Sequence, residues 1–419
     1  MAKQYLDIFL YGIPVGSLCS DRATLSFTYH QSYLDMPTAV KLSASLPLQI
    51  TPFAHLETSA FFSGLLPDEY VRQHLARYLR LSEKNTFALL KEVGGECAGA
   101  VSVYPPGVTP NFNEKPTFHI LTDKEAYKIL SGLDKRPMWV GTEEVRISGA
   151  GAQNKLIIAL VDGQIAIPTR NTPSTHIIKP AISDLESTVQ NEFFCMKLAQ
   201  AVGLPVPHVE IRWIEGEAYY LIERYDRIKN KKGTAKRLHQ EDLCQALHIP
   251  PELKYENEGG PGIQQCFSLL DERMALGTMS GKNKITLLEG FLFNFLIGNG
   301  DAHGKNFSLL YEENAESLAP FYDLMCTMIY SNAYKAKMAM KIGGKYKFSE
   351  VVFQDIEKMG VCAGFRPDFI GKKWTTLLLQ LPDAAHEVCT SLNNHPETAS
   401  KVYEKIVKLI NVQCAHHLS

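Results

Sequence analysis

The apolar residues of this chain keep two different periods, and the change from one to the other near residue 230 restricts the fold more than any other feature. Before that point, short runs rich in β-branched and aromatic residues, bounded by Gly and Pro, read as strands. They are Leu6 to Tyr11, Val101 to Tyr104, Lys155 to Val161, Gln164 to Pro168, His176 to Lys179, His208 to Trp213 and Ala218 to Tyr225. From Gln240 onward helical spacing dominates, over Asp242 to Leu247, Gly262 to Met274, Lys284 to Ile297, Phe348 to Met359 and Lys372 to Leu379. A chain that runs through strands first and helices afterwards belongs to the α+β class.

Punctuation divides it further. Pro105-Pro106-Gly107 breaks the pattern, and Val108 to Pro116 has the composition of a linker. Three units are expected: a β-rich subdomain over 1–108, which also holds helices at Tyr70 to Tyr78 and Glu83 to Lys91; a second over 109–228, with helices at Asp123 to Ser131 and Glu192 to Val202; and a helical unit over 229–419. Within the last, Asn306 to Tyr311 and Leu318 to Tyr322 read as two short strands joined by the polar turn Glu312 to Ser317. A length of 419 residues suits two or three units of about 100–200 residues each.

Composition removes several function classes. With 43 Lys+Arg against 45 Asp+Glu the net charge is −2, which excludes a globally basic nucleic-acid binder. No apolar run approaches the ~18 residues of a membrane span; Gly290 to Gly298 is interrupted by Asn294. The start acquires an acid at Asp7 and lacks the apolar core of a secretory signal. The nine cysteines are scattered, odd in number and without a Cys-x-x-Cys pair, which fits reduced thiols in a cytoplasm.

The sharpest local signal is Gly298-Asn299-Gly300-Asp301-Ala302-His303-Gly304-Lys305-Asn306, between an apolar helix and a hairpin. Asp301 and Asn306 have the Asp-x-x-x-x-Asn spacing with which kinase catalytic loops place a base beside an acceptor hydroxyl and an amide oxygen on a metal. Asp323, at the expected end of the second hairpin strand, stands where a carboxylate would hold Mg²⁺ on nucleotide phosphates. Upstream, the small residues of Ser148-Gly149-Ala150-Gly151-Ala152-Gln153-Asn154-Lys155 let backbone N–H groups approach phosphate oxygens. Lys179 ends an apolar strand from which it would reach phosphates, with Glu192 on the next helix to orient it. Leu221 to Asp226 closes the β-rich half at the place of an adenine-reading hinge. Taken alone, the Asp-x-x-x-x-Asn spacing and the Gly-rich segment read better as a turn or a cap, and the hinge segment equally well as a strand end; the weight lies in their order.

These segments resemble the HipA family of serine/threonine kinases, the toxin halves of bacterial toxin–antitoxin pairs. The likeness is carried by Phe61-Phe62-Ser63-Gly64-Leu65-Leu66-Pro67, Gly94-Gly95-Glu96-Cys97-Ala98-Gly99-Ala100, the run from Arg146 to Lys155, Thr175-His176-Ile177-Ile178-Lys179 and Glu223-Arg224-Tyr225-Asp226. It continues through Gln240 to Gln245, Lys254-Tyr255-Glu256, Gly259 to Gly262, Gly300 to Ser308 and Pro320-Phe321-Tyr322-Asp323. The resemblance implies a two-lobed protein-kinase-like fold with an added β-rich N-terminal subdomain and an all-helical C-terminal lobe. It implies ATP and Mg²⁺ as cofactors, Asp301 as catalytic base, and Asn306 and Asp323 as metal ligands. Ala150, Gly151, Ala152, Gln153, Asn154 and Lys155 would form the phosphate loop, Lys179 a phosphate contact, and Glu223, Arg224 and Tyr225 the hinge. His303, Gly304, Lys305, Asn306, Tyr322 and Asp323 would add nucleotide contacts. Ser148 matches an autophosphorylated serine, whose added charge of roughly −1.5 to −2 would repel nucleotide and expel the loop.

By the same resemblance the substrate is a protein, an aminoacyl-tRNA synthetase or another translation factor, whose modification halts growth. The partner is a small helix-turn-helix antitoxin and, through it, operator DNA. Two features depart from the pattern: Gly149 stands where an apolar residue is expected, and the stretch from Lys179 to Glu192 is short. A small-molecule phosphotransferase on the same lobes, or a non-catalytic corepressor bound to the antitoxin, stays open. Lys335, Lys337, Lys341, Lys345 and Lys347 read as a solvated face, and His416 and His417 as a flexible tail.

Overall fold

The computed structural model describes residues 3–110, 115–140, 146–229, 235–312, 315–330 and 336–418. Lys335, positions 111–114 of the expected linker and positions 313–314 of the expected turn lie outside them.

The chain begins as a meander, β1 (Gln4–Leu10), β2 (Ile13–Asp21) and β3 (Thr24–Tyr29), whose first hairpin turns on Tyr11 and Gly12, at φ 53° and 81°. Two successive positive φ values give the turn whose twist matches that of the strands it joins. Helices α1 (Gln31–Leu34), α2 (His55–Gly64), α3 (Glu69–Leu79) and α4 (Thr86–Val93) follow, and β4 (Val101–Tyr104) returns to the free edge of β1. The antiparallel order is β3-β2-β1-β4. Leu6, Ile8 and Leu10 point into a core with Phe27, Phe61 and Phe62. Helix α2 has no amphipathic stripe because its second half is buried, from Ala60 to Gly64, and periodicity alone does not reveal such a helix.

A second sheet is assembled from β5 (Thr117–Ile120), β6 (Leu156–Val161), β7 (Gln164–Thr169), β8 (His176–Lys179), β9 (Val209–Ile214) and β10 (Glu217–Glu223), in the antiparallel order β5-β7-β6-β8-β10-β9. Helix α5 (Asp123–Leu130) enters through a reciprocal cap between Thr122 and Glu125. Helix α6 (Thr188–Ala201) packs on β9 and β10. Strand β8 lies inside the sheet between β6 and β10, so Lys179 at its end is carried by a strand held on both sides.

The hairpin β11 (Arg227–Lys229) and β12 (Ala235–Arg237) leads into the last unit. Its elements are β13 (His239–Asp242), α7 (Leu243–Ala246), α8 (Ile263–Ala275), α9 (Gly281–Leu296), β14 (Ser308–Glu312), β15 (Ala315–Leu318), β16 (Lys337–Ile342), β17 (Lys345–Lys347), α10 (Phe353–Cys362), α11 (Pro367–Asn393) and α12 (Val402–Leu418). The lobe is helical in its core, where Phe267, Phe293, Phe295, Trp374 and Tyr403 are buried, but it is not all-helical: β13-β14-β15 form a sheet and β16-β17 a hairpin. Expected helix Phe348 to Met359 is broken at the extended Val351, so its first part is a single turn and α10 starts at Phe353. The second hairpin strand ends at Leu318, and Phe321, Tyr322 and Asp323 lie beyond it. His416 and His417 are not a loose tail but the last turn of α12, with the His417 ring 5.4 Å from Phe295 and 5.2 Å from Trp374. No helix among the described residues is long and apolar enough to cross a membrane.

Candidate active site

A cleft of about 910 Å³ opens between the second sheet and the helical lobe, with part of one wall supplied by the N-terminal subdomain. The upper wall is Ser148 to Lys155, Lys179 and the end of β10; the floor is Asp301, His303, Lys305, Asn306, Tyr322 and Asp323.

Lys179 is the junction. Its Nζ lies 2.8 Å from Oε1 of Glu192 on α6 and pairs with Asp323 on the opposite side of the cleft. The partnership of Lys179 with Glu192, inferred from position in the sequence, is present. One cation therefore serves two carboxylates. Burial pushes the Asp323 carboxyl up, but Lys179 and then Lys155 pull it down to about 2. Glu192, more deeply enclosed, is raised by burial to about 7 despite Lys179. Asp323 thus carries the negative charge into the cleft, on a backbone at φ 53°, and its side chain is 39% exposed.

The catalytic-loop candidates form one hydrogen-bonded unit. Asn299 Oδ1 accepts from the Asp301 N–H at 3.0 Å, while its Nδ2 donates to Asn294 at 2.7 Å and reaches the Asp323 carbonyl at 3.5 Å. Asn306 Nδ2 donates to the Asp301 carbonyl at 2.8 Å, which commits the amide nitrogen and leaves the oxygen as the end for a cation. The Asp301 carboxylate is 54% exposed and accepts from the Tyr255 hydroxyl at 2.5 Å. His303 Nε2 is 4.0 Å from Asp301 Oδ1, and burial holds its ring below the ordinary histidine range. Asp323 with Asn306 is an all-oxygen donor pair of the kind Mg²⁺ takes, beside a cleft large enough for a nucleotide.

In the candidate phosphate loop, Lys155 Nζ donates to the Ala150 carbonyl, Gln153 to the Pro180 carbonyl at 3.0 Å, and Asn154 to Asp134 at 2.5 Å. Burial first, and repulsion from Lys179 second, lower the Lys155 ammonium to about 8. Gly151 sits at φ +105°, where a side chain would be strained and would run into Lys155. Ser148 is buried, its hydroxyl donating to the Leu65 carbonyl at 2.6 Å, and Gly149 lies against Ile157 and Met138.

Arg224 and Gly304 differ in how they meet the cleft. Arg224 lines the cleft, while its guanidinium enters a buried network, 2.7 Å from Asp226 and 3.6 Å from Glu96 of the N-terminal subdomain, and its backbone N–H is taken by the Thr175 carbonyl. Gly304 is not on the cleft wall; a Cβ there would lie 2.4 Å from Pro261 and 2.8 Å from Cys244. Tyr225 stacks on Tyr322 with centroids 5.6 Å apart, joining the candidate hinge to the segment before Asp323. Sequence reasoning assigned no role to Asp68, Tyr255 or Asn299. Asn299 and Tyr255 stood inside singled-out segments; Asp68, just ahead of a helix, looks like an ordinary cap.

A β-rich lobe and a helical lobe with a cleft between them, a strand lysine and a helix glutamate on one side and two carboxylates on the other, define a kinase-like fold with an N-terminal subdomain added. Family models agree: residues 6–104 match the HipA N-terminal domain and residues 147–413 the HipA-like C-terminal domain. The chain belongs to the HipA family. It is 38% identical over 394 residues to the Y4mE protein of Sinorhizobium fredii, covering 93% of this chain and 92% of that one. It is 28% identical over 400 residues to the serine/threonine-protein kinase toxin HipA of Shewanella oneidensis, covering 92% and 90%. A solved structure of S. oneidensis HipA with HipB and operator DNA superposes with a TM-score of 0.83 at 25% identity, over 99% of this chain and 97% of that one.

Proposed function

We propose that the protein is a serine/threonine protein kinase toxin that transfers the γ-phosphate of ATP, with Mg²⁺, to a protein. The observation that carries the reading is the Lys179–Asp323 pair across the cleft, with the exposed Asp301 carboxylate on the same floor. Asp301 would accept the proton of the acceptor hydroxyl, Asp323 and Asn306 would hold the metal, and Lys179 and the loop Ala150 to Lys155 would hold phosphate oxygens. Bound Mg²⁺ would neutralise charge that develops on the transferred phosphoryl group. Tyr225 and Glu223 line the side where the adenine would lie. The working units are 1–108, 109–228 and 229–419.

Family resemblance supports the rest of the reading: a translation factor such as an aminoacyl-tRNA synthetase as substrate, the cytoplasm as location, and a HipB-like helix-turn-helix antitoxin, through it operator DNA, as partner. Ser148 is the proposed autophosphorylation site. With its hydroxyl buried against Leu65, a phosphate has no room there, so the modified loop must leave its seat.

The test is transfer of labelled γ-phosphate by wild type and Asp301→Ala to the protein itself and to a cell lysate. Label that disappears with Asp301→Ala, and a self-label that maps to Ser148, is the expected result. A wild type that binds ATP yet labels no protein would shift the reading to a small-molecule acceptor, and one that binds no ATP to a corepressor.

A further inference from the structure

Asp68 occupies the residue before α3, where an aspartate ordinarily caps the first backbone N–H groups of a helix. Here it does not: its side chain makes no capping bond, and the next residue, Glu69, is held at φ 43°, a strained conformation for a non-glycine. The carboxylate is turned away from its own helix and buried at 5% exposure, with Oδ1 2.9 Å from Lys305 Nζ on the catalytic loop and Oδ2 4.0 Å from Lys254. Oδ2 has no hydrogen-bond donor among the described residues. Lys254 precedes Tyr255, whose hydroxyl holds Asp301, and the Lys254 carbonyl faces the Gly304 N–H at 3.5 Å. The backbone of the same short segment grips the other wall: Asp68 N–H donates to the Gly151 carbonyl at 3.1 Å, and Pro67 bridges Gly151. A residue of the added N-terminal subdomain therefore touches both loops that face the phosphate site, at the expense of the helix it begins.

We infer that Asp68 is a positioning residue for phosphoryl transfer: it clamps Lys305 of the catalytic loop through its carboxylate while its backbone clamps Gly151 of the phosphate loop, so that the N-terminal subdomain sets the spacing of the two loops. The inference rests on the kinase reading and deepens it. Lys305, which resemblance alone makes a nucleotide contact, is then a strut whose charge is committed to Asp68, with Asp242 at 3.9 Å behind it. Burial raises the Asp68 carboxyl, but Lys305, Lys254 and Lys155 together keep it below the usual range, in keeping with a permanently charged clamp.

Asp68→Asn keeps the size and the backbone bond to Gly151 but removes the charge that holds Lys305. The expected result is a fall in kcat of at least tenfold with the ATP dissociation constant changed less than threefold, and recovery of at least a third of the activity in Asp68→Glu. In the Lys305→Gln background, Asp68→Asn should change kcat less than twofold. Multiplicative losses in that double variant, or a kcat for Asp68→Asn within twofold of wild type, would overturn the clamp. If Asp68→Asn does not fold, Lys305→Gln alone reads the contact from its other end: lost kcat at unchanged ATP affinity supports it, and weakened ATP affinity at unchanged kcat makes Lys305 a nucleotide ligand and ends the proposal. A wild type without transfer activity would count against the kinase reading only. The clamp is then read by hydrogen exchange, where Asp68→Asn should speed exchange in 148–155 and 298–306 together, and unchanged protection in both would overturn it.

Discussion

The Tyr255 hydroxyl donates a 2.5 Å hydrogen bond to Oδ1 of Asp301, so the candidate base is already oriented by a ring that also meets His303 edge-on at 5.1 Å. A hydrogen bond to a charged group is worth about 1.5–3 kcal/mol, and about 1.4 kcal/mol is tenfold in rate. Tyr255→Phe is expected to lower kcat by roughly tenfold while leaving the ATP dissociation constant unchanged. Steady-state rates beside equilibrium nucleotide binding separate the two, and an unaltered kcat would deny Tyr255 any part in holding the base.

Lys155 introduces a pH dependence of binding. Burial lowers its ammonium to about 8, so below that pH the candidate phosphate loop carries the charge and above it the charge is lost. Affinity for ATP should hold steady up to about pH 8 and decline above it, and Lys155→Arg should remove the decline because a guanidinium stays charged. Titration calorimetry from pH 6.5 to about 9.5, well below the range in which Arg loses its proton, is the measurement.

Glu241 on β13 is buried among Ser43, the Ala44 N–H at 2.8 Å and Tyr311, and burial raises it from 4.5 to about 7. A carboxyl with a raised folded pKa contributes stability below its unfolded value that is lost as pH rises through the folded one, here between 4.5 and about 7. Glu241→Gln, which lacks the titration, should therefore gain on wild type as pH goes from about 4.5 to 8, by an amount on the order of 3 kcal/mol at the upper end. Denaturant midpoints at the two pH values decide it; a constant difference would place the titration elsewhere.

Arg224 binds Asp226 through two nitrogens, at 2.9 and 2.7 Å, and Ser174 at 3.0 Å, inside the same cluster in which Arg227 meets Glu96 at 2.6 Å. Arg224→Ala would leave two buried carboxylates short of a cation, a loss of about 3–5 kcal/mol. Urea denaturation should show it as a lower midpoint, and a stability within about 0.5 kcal/mol of wild type, the size of a typical surface change, would mean that Arg227 alone satisfies the cluster.

Several of these residues could be read from the chain and several could not, for reasons tied to range. Lys179 and its strand were legible because β8 is an apolar run with a cation at its end, and Asp301 with Asn306 because their spacing is local. The Arg224 guanidinium network was legible only in part, because Asp226 is two residues away along the chain while Glu96 of the N-terminal subdomain, 3.6 Å off, lies far away in the sequence. Helices α2 and α12 were missed, the one because it is buried along its second half and the other because its last turn looks like a polar tail.

The sequence by itself determined what depends on neighbours along the chain: the switch from strand to helical period, the order of small-residue loop, strand lysine, candidate hinge, candidate base and candidate metal carboxylate, and the family to which those segments belong. Tertiary structure decided which charges meet. That Lys179 serves both Glu192 and Asp323, that Arg224 belongs to the subdomain joint, and that Asp68 leaves its helix uncapped to hold Lys305 all follow from burial. A charge removed from water must take whichever opposite charge the packing brings within reach, and no local pattern of residues records that choice.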